Sequence, residues 1–394
     1  MMIAVGSSAA PDGGSGISTY AKELSEGLIA KGIDVAYVSP TPKSKLWLER
    51  QGIVHLPTDP NEDQVNVARN IVRQLSKMEV AAVLNNDNSI IQSILPLLDC
   101  PAIAIGHLDA YAIVKMAVFN KQWCDYIVTI SNDMQKNYVL NHGVDIAACP
   151  VVHNGIQAPE NFAPRTLNDN ALQVICVTEY SRRKGGDHIL SLCRKVPDSI
   201  PNVKLDWFGD VPKSIARKAE CHNSIKVRGR VPRQDLLQAI KAADIFIMAS
   251  RMEGCPMSML EAMSYGVLPV VSDGVGAMRW LVNSGIEGFV CSLKDWANQA
   301  AQCIAELDND RPRLLEMQNK TRERFIKEYQ IDRVVDDLLS LIQKPRIERD
   351  AKKPNFVDVA AWHRHNPEVN PATFLQRLDW RLGRIRKAGR LNVL

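Results

Sequence analysis

The chain has 394 residues, 46% hydrophobic and 23% charged, which excludes intrinsic disorder and exceeds what one core of ordinary size accommodates. Its formal charge of +4 is uneven: residues 345–394 carry a net +6 and the preceding 344 a net −2, so the body offers no broad basic face for nucleic acid. Nine cysteines without a C-x-x-C pair or zinc spacing fit free thiols in a reducing compartment, and no run approaches the ~20 apolar residues of a membrane span; a cytoplasmic protein is expected.

Met1-Met2-Ile3-Ala4-Val5-Gly6 has no basic start and reads as a first strand rather than a signal peptide. Further strands are expected at 35–39, 81–84, 102–105, 126–130 and 151–152. Between them lie helical patterns such as Tyr20-Ala21-Leu24-Leu28 and Val65-Ala68-Ile71-Leu75. Alternation of this kind predicts a parallel sheet with right-handed crossovers over residues 1–156. The polar stretch 157–170, rich in proline and asparagine, reads as a linker. The alternation restarts over 171–344, with strands expected at 174–177, 205–208, 225–227, 245–248 and 268–271. Helical stretches are expected there at 234–242 and 260–264. The expected fold is α/β, two Rossmann-like doubly wound domains facing a cleft at the carboxyl ends of their strands.

Two segments carry chemistry. Asp12-Gly13-Gly14-Ser15-Gly16-Ile17-Ser18-Thr19 stands between the first strand and the first helix, where backbone N–H groups and a helix start favour phosphate. A nicotinamide-dinucleotide site is the rival. It is disfavoured because the third glycine of G-x-G-x-x-G is missing and Val38-Ser39-Pro40 ends the second strand without an acid. The second segment runs from Ala243 to Met263, a strand entering a Glu-Gly-x-Pro turn and a helix opening near Pro256. Glu253 is expected in the turn and Glu261 one to two turns into the helix, with the N–H groups from Cys255 to Met259 at the helix start. A helix-start cysteine can have a lowered pKa, and chance placement explains Cys255 equally well.

The second segment resembles the E-x7-E signature of glycosyltransferase family 4, retaining enzymes of the GT-B fold. The resemblance extends to Gly13–Gly16 as the donor-phosphate loop, to the strands at 124–131 and 151–156, and to residues from about 3 to 340. It implies that Glu253 contacts the donor sugar and Glu261 the ribose. It further implies that Lys184 neutralises the diphosphate and that His107 lies near the reacting centre. Gly14, Ser15 and Gly16 would approach the diphosphate from the first domain, and Gly254, Cys255, Pro256, Met257 and Ser258 would line the donor site. The implied donor is a UDP- or GDP-sugar, with no metal or other cofactor, and the implied acceptor a glycan or lipid-linked glycan of polysaccharide assembly. A sugar-nucleotide-binding protein without turnover is the alternative.

Two positions depart from the family pattern. Thr178 and Glu179 stand where the family has Gly-Arg, so Arg182 or Arg183 is expected to supply the second diphosphate cation. Gly274-Val275-Gly276-Ala277-Met278-Arg279 replaces Gly-Gly-x-x-Glu. Asp308-Asn309-Asp310 imitates the D-x-D metal motif of another glycosyltransferase fold, yet it precedes Arg311-Pro312 and reads as a turn and helix start. Beyond the resemblance, the basic tail 345–394 contains an amphipathic pattern over 371–387. Its expected role is packing on the protein itself or on a second copy, or peripheral attachment to an anionic membrane.

Overall fold

The structure is a computed structural model that describes residues 1–347 except Pro60, 167–170 and Pro201. The amphipathic helix predicted over 371–387, and any membrane contact made through it, lies outside the described residues.

The chain divides into two compact units, Met1–Val152 with the described residues from Val335 on, and His153–Val334. Each contains one six-stranded, wholly parallel sheet. In the first, β1 (Met2–Ser7), β2 (Asp34–Ser39), β3 (Val54–Pro57), β4 (Ala82–Asn86), β5 (Ala102–Gly106) and β6 (Tyr126–Thr129) lie in the order β3-β2-β1-β4-β5-β6. In the second, β7 (Leu172–Val177), β8 (Val203–Phe208), β9 (Ile225–Gly229), β10 (Ile245–Met248), β12 (Leu268–Ser272) and β14 (Phe289–Cys291) lie in the order β9-β8-β7-β10-β12-β14. Two short strands, β11 (Met252–Glu253) and β13 (Val275–Gly276), pair apart from the large sheet.

Central strands such as β1, β4, β5 and β10 are buried almost throughout, which is why they read as continuous apolar runs rather than as alternation. Both sheets share one topology. The chain winds outward one way from β1 and β7, then returns to start the other half at β4 and β10. Ligands of doubly wound sheets bind outside the carboxyl ends at that reversal.

One expectation is corrected. Val151–Val152 is not a strand; Val151 makes a single bridge to Thr129, and the adjacent Pro150 has no N–H to extend a ladder. The compact units part after residue 152, close to the boundary expected after 156. Ile156 bridges Gln330, and the ring of His153 packs edge-on against Tyr329 at 5.8 Å, so these residues belong with the second unit. The expected linker also packs there: Arg165 donates to the Tyr265 carbonyl, and Arg322 lies over the Phe162 ring. Conversely, the last helix, Ile331–Ile342, ends with the first unit. Asp336 pairs with Lys31, Tyr126 donates to the Lys344 carbonyl, and Asp125 accepts from the N–H groups of Arg346 and Ile347.

Candidate functional site

In the second unit the loops after β7 and β10 meet at the reversal point. Glu253, on β11, is buried, and its Oε1 lies 2.6 Å from Lys184 Nζ and accepts a 2.8 Å bond from the Ser250 hydroxyl. Arg183 reaches Oε2 at 3.5 Å. The backbone makes this possible at two glycines. Gly185 has φ +67°, and a Cβ there would stand 1.9 Å from the Ala249 carbonyl; Gly276 has φ +119°, and a Cβ would stand 1.6 Å from that of Glu253. Only glycine tolerates both the conformation and the approach. Arg251 pins the β7 loop from the other side, with a two-pronged 2.7 Å ion pair to Asp187 and a bond to the Arg182 carbonyl.

After Glu253 the chain runs through buried Gly254, Cys255 and Pro256 into the helix Met257–Ser264. Ala277 N–H donates to the Gly254 carbonyl. Burial pushes the Cys255 thiol up to about 12, so the helix start does not make it a thiolate; desolvation outweighs the helix dipole. Glu261 is buried on the second turn, and its Oε1 is 2.7 Å from Arg233, the first residue of the helix Arg233–Ala242. Burial raises the Glu261 pKa while Arg233 opposes the rise.

A pocket of about 510 Å³ opens at the carboxyl ends of β7, β8 and β9, among Glu179, Tyr180, Gly209, Asp210 and Gly229. A depression of about 490 Å³ near the amino ends of β8 and β9 brings none of the candidate residues with it.

The first unit's reversal point is built differently. Ser15 caps the helix Gly16–Ala30: its hydroxyl accepts from Ser18 N–H, while the Ser18 hydroxyl accepts from Ser15 N–H. The two serines thus form a capping box. Gly14 stays exposed in that loop, which Asp12 ties to the chain after β2 by accepting from Lys43 and Ser44 N–H. His107 follows β5 and is buried, edge-on to Tyr20 at 4.8 Å, and burial lowers its pKa to about 3. Asn86 donates to the Gly6 carbonyl, which turns its Oδ1 toward His107 Nε2 at 3.0 Å. That oxygen only accepts, so the neutral ring carries its proton on Nε2.

Of the predicted residues, Lys184, Arg183 and Glu253 therefore come together directly. Arg182 contributes its carbonyl to Arg251, and Glu261 is joined to a residue not anticipated, Arg233. Arg251 and Asp187 were also missed, because their pairing links separate loops and leaves no local spacing, and so was Ser250, whose hydroxyl bonds Glu253 only three residues on. Asp308 pairs with Arg311, and Asp310 caps the helix Arg311–Glu328, so the D-x-D imitation is a helix start.

The family model described as Glycosyltransferase Family 4 matches residues 14–158, and that described as Glycosyl transferases group 1 matches 157–348. A phosphatidylinositol N-acetylglucosaminyltransferase subunit of Arabidopsis thaliana is 25% identical over 173 residues, 42% of this chain and 38% of that protein. Glycogen synthase of Mycobacterium tuberculosis is 25% identical over 195 residues, 47% and 46% of the two chains. The aligned stretch spans less than half of either relative's length. A Rickettsia africae glycosyltransferase has a TM-score of 0.71 at 16% identity, covering 87% of this chain and 98% of that one. Anabaena HepE in complex with UDP-glucose has a TM-score of 0.71 at 15% identity, covering 87% and 99%. With the two parallel sheets, these likenesses establish the two-domain α/β GT-B fold.

Proposed function

The chain belongs to the glycosyltransferases of the GT-B, family 4 type, and from that premise we propose that it transfers a sugar from a nucleotide-diphosphate sugar to a glycan or lipid-linked acceptor, with retention at the anomeric carbon and without a metal ion. The observation that carries the proposal is the Lys184–Glu253–Arg183 cluster at the second unit's reversal point. When the bond from the sugar's anomeric carbon to phosphate breaks, negative charge grows on the departing nucleoside diphosphate. Preorganised cations beside that charge stabilise the transition state more than the ground state. Lys184 and Arg183 are suited to this task, and it is on their chemistry that metal independence rests.

Glu253 takes the hydroxyls of the donor sugar, and the helix start at Met257 offers N–H groups to hydroxyl or phosphate oxygens. Glu261 takes the ribose. His107 acts as a neutral hydrogen-bonding group, since its buried ring stays uncharged at working pH. The UDP-glucose in the Anabaena neighbour supports a nucleotide-sugar donor; the phosphatidylinositol in the Arabidopsis relative's name supports a lipid-linked acceptor. A cytoplasmic site of action at the membrane surface suits such an acceptor. The test is NMR of the glycoside made from an α-linked donor. An α product supports the proposal, a β product overturns retention, and nucleotide binding without transfer to any acceptor points to a binding protein.

A further inference from the structure

Glu261 is a carboxylate with a difficulty. Its side chain is only 5% exposed, and burial disfavours the ionised form that could accept two hydrogen bonds from a ribose diol. A protonated carboxyl would lose acceptor capacity and present an O–H to the diol instead. Among the described residues one cation is seen to reach it, Arg233 at 2.7 Å. The other charged groups around its helix are engaged elsewhere or exposed. Glu253 is held by Lys184 and Arg183, Arg322 donates to the Ser264 carbonyl at the helix's far end, and Asp235 and Lys241 on the Arg233 helix face solvent.

We propose that Arg233 is the positioning residue of the nucleoside site, keeping Glu261 ionised and aimed so that it can accept the ribose hydroxyls. This rests on the ribose role of Glu261 given above. Arg233 is suited to it by location. Pro232, with φ −53°, precedes it at the helix start and fixes the chain's entry there, and the helix packs against that of Glu261. Its side chain is half-exposed and its Nη1 meets one carboxylate oxygen, so it pairs with the group without enclosing it. Gly229, shortly before it in the chain, lines the pocket at the ends of β7, β8 and β9. Arg233 thereby links the ribose carboxylate to the loop bordering that pocket.

The experiment is calorimetric titration of UDP and GDP into the full chain, as wild type, R233M, R233K, E261Q and the R233M/E261Q double variant, at about pH 8 and about pH 6. R233M is expected to weaken the better-bound nucleotide about tenfold at the higher pH, and further at the lower pH as Glu261 protonates. R233K should restore most of the affinity at pH 8, and the double variant should bind no more weakly than E261Q. A purely structural role would give R233M a loss independent of pH and additive with E261Q, which overturns the proposal. So does wild-type affinity in R233M while E261Q is weakened, which leaves the ribose role standing. Unchanged binding by E261Q overturns the ribose role itself and the proposal with it. Should R233M fail to fold, R233K decides: its affinity must stay near wild type at pH 8.

Discussion

The two sheets have the same strand order, yet their reversal points are built from different chemistry. Around β1 and β4 amides and a neutral ring stand beside buried carboxylates: Asn88 donates to the Ser7 and Val38 carbonyls, Asn86 to the Gly6 carbonyl, His107 is buried and neutral, and Asp87 and Asp109 are buried in the loops after β4 and β5. Between β7 and β10 the corresponding loops carry Lys184, Arg183 and Glu253 in one ionic cluster. A shared fold thus prescribes where a ligand can bind and leaves its charge to the loops. A doubly charged diphosphate suits the second point, and a neutral, hydrogen-bonding partner such as a sugar hydroxyl suits the first.

The sharpest way to break the comparison is at Glu253. Exchange for glutamine keeps the shape and removes the charge held by Lys184, and turnover should fall by about 10²–10³, while the nucleotide's dissociation constant changes much less. E261Q should do the reverse, weakening the nucleotide with a smaller effect on turnover at saturation. Steady-state kinetics with nucleotide titration separates the two; equal effects of both variants on nucleotide affinity would remove the distinction. Next in size is the cation pair. K184A is expected to lower kcat/KM about a hundredfold and R183A about tenfold, whereas R182A, which leaves the carbonyl used by Arg251, should stay near wild type.

The first unit is expected to respond to acid. His107 titrates near 3 when folded, against an ordinary value of about 6.5 unfolded. Between those values the unfolded chain binds a proton that the folded chain refuses, so stability falls as the pH is lowered through that window and is unaffected above it. H107Q should therefore reduce the drop in melting temperature between about pH 7 and pH 5, measured by calorimetry; an unchanged drop would mean that His107 is not the group refusing the proton. The smallest effect is expected at Asp187, whose half-exposed carboxylate Arg251 holds down at about 2. D187N should cost less than about 1 kcal/mol of stability, because solvent screens the pair.

Much of this was legible in the sequence. The alternation of strands and helices, and the Glu253–Glu261 segment, follow from periodicity and from strand, turn and helix signals close together in the chain. The edge strands β3 and β14 were not legible: both are short, and β3 (Val54-His55-Leu56-Pro57) mixes a histidine and a proline into its run. The capping bonds of Ser15 were not anticipated, because a capping residue and a phosphate-binding residue share the same place before a helix. Arg233 was invisible for a different reason. It meets Glu261 through the packing of two helices, and a surface-type arginine beside Pro232 gives no local sign of the buried carboxylate it serves.

The most direct test of the charged reversal point is calorimetric titration of UDP and GDP into wild type and the R183A/K184A double variant, with thermal melting to check that both are folded. The expected result is saturable binding of one nucleotide by wild type and a loss of affinity of about a hundredfold or more in the double variant. A folded double variant that binds the same nucleotide as tightly as wild type would contradict the assignment of the diphosphate to this cluster.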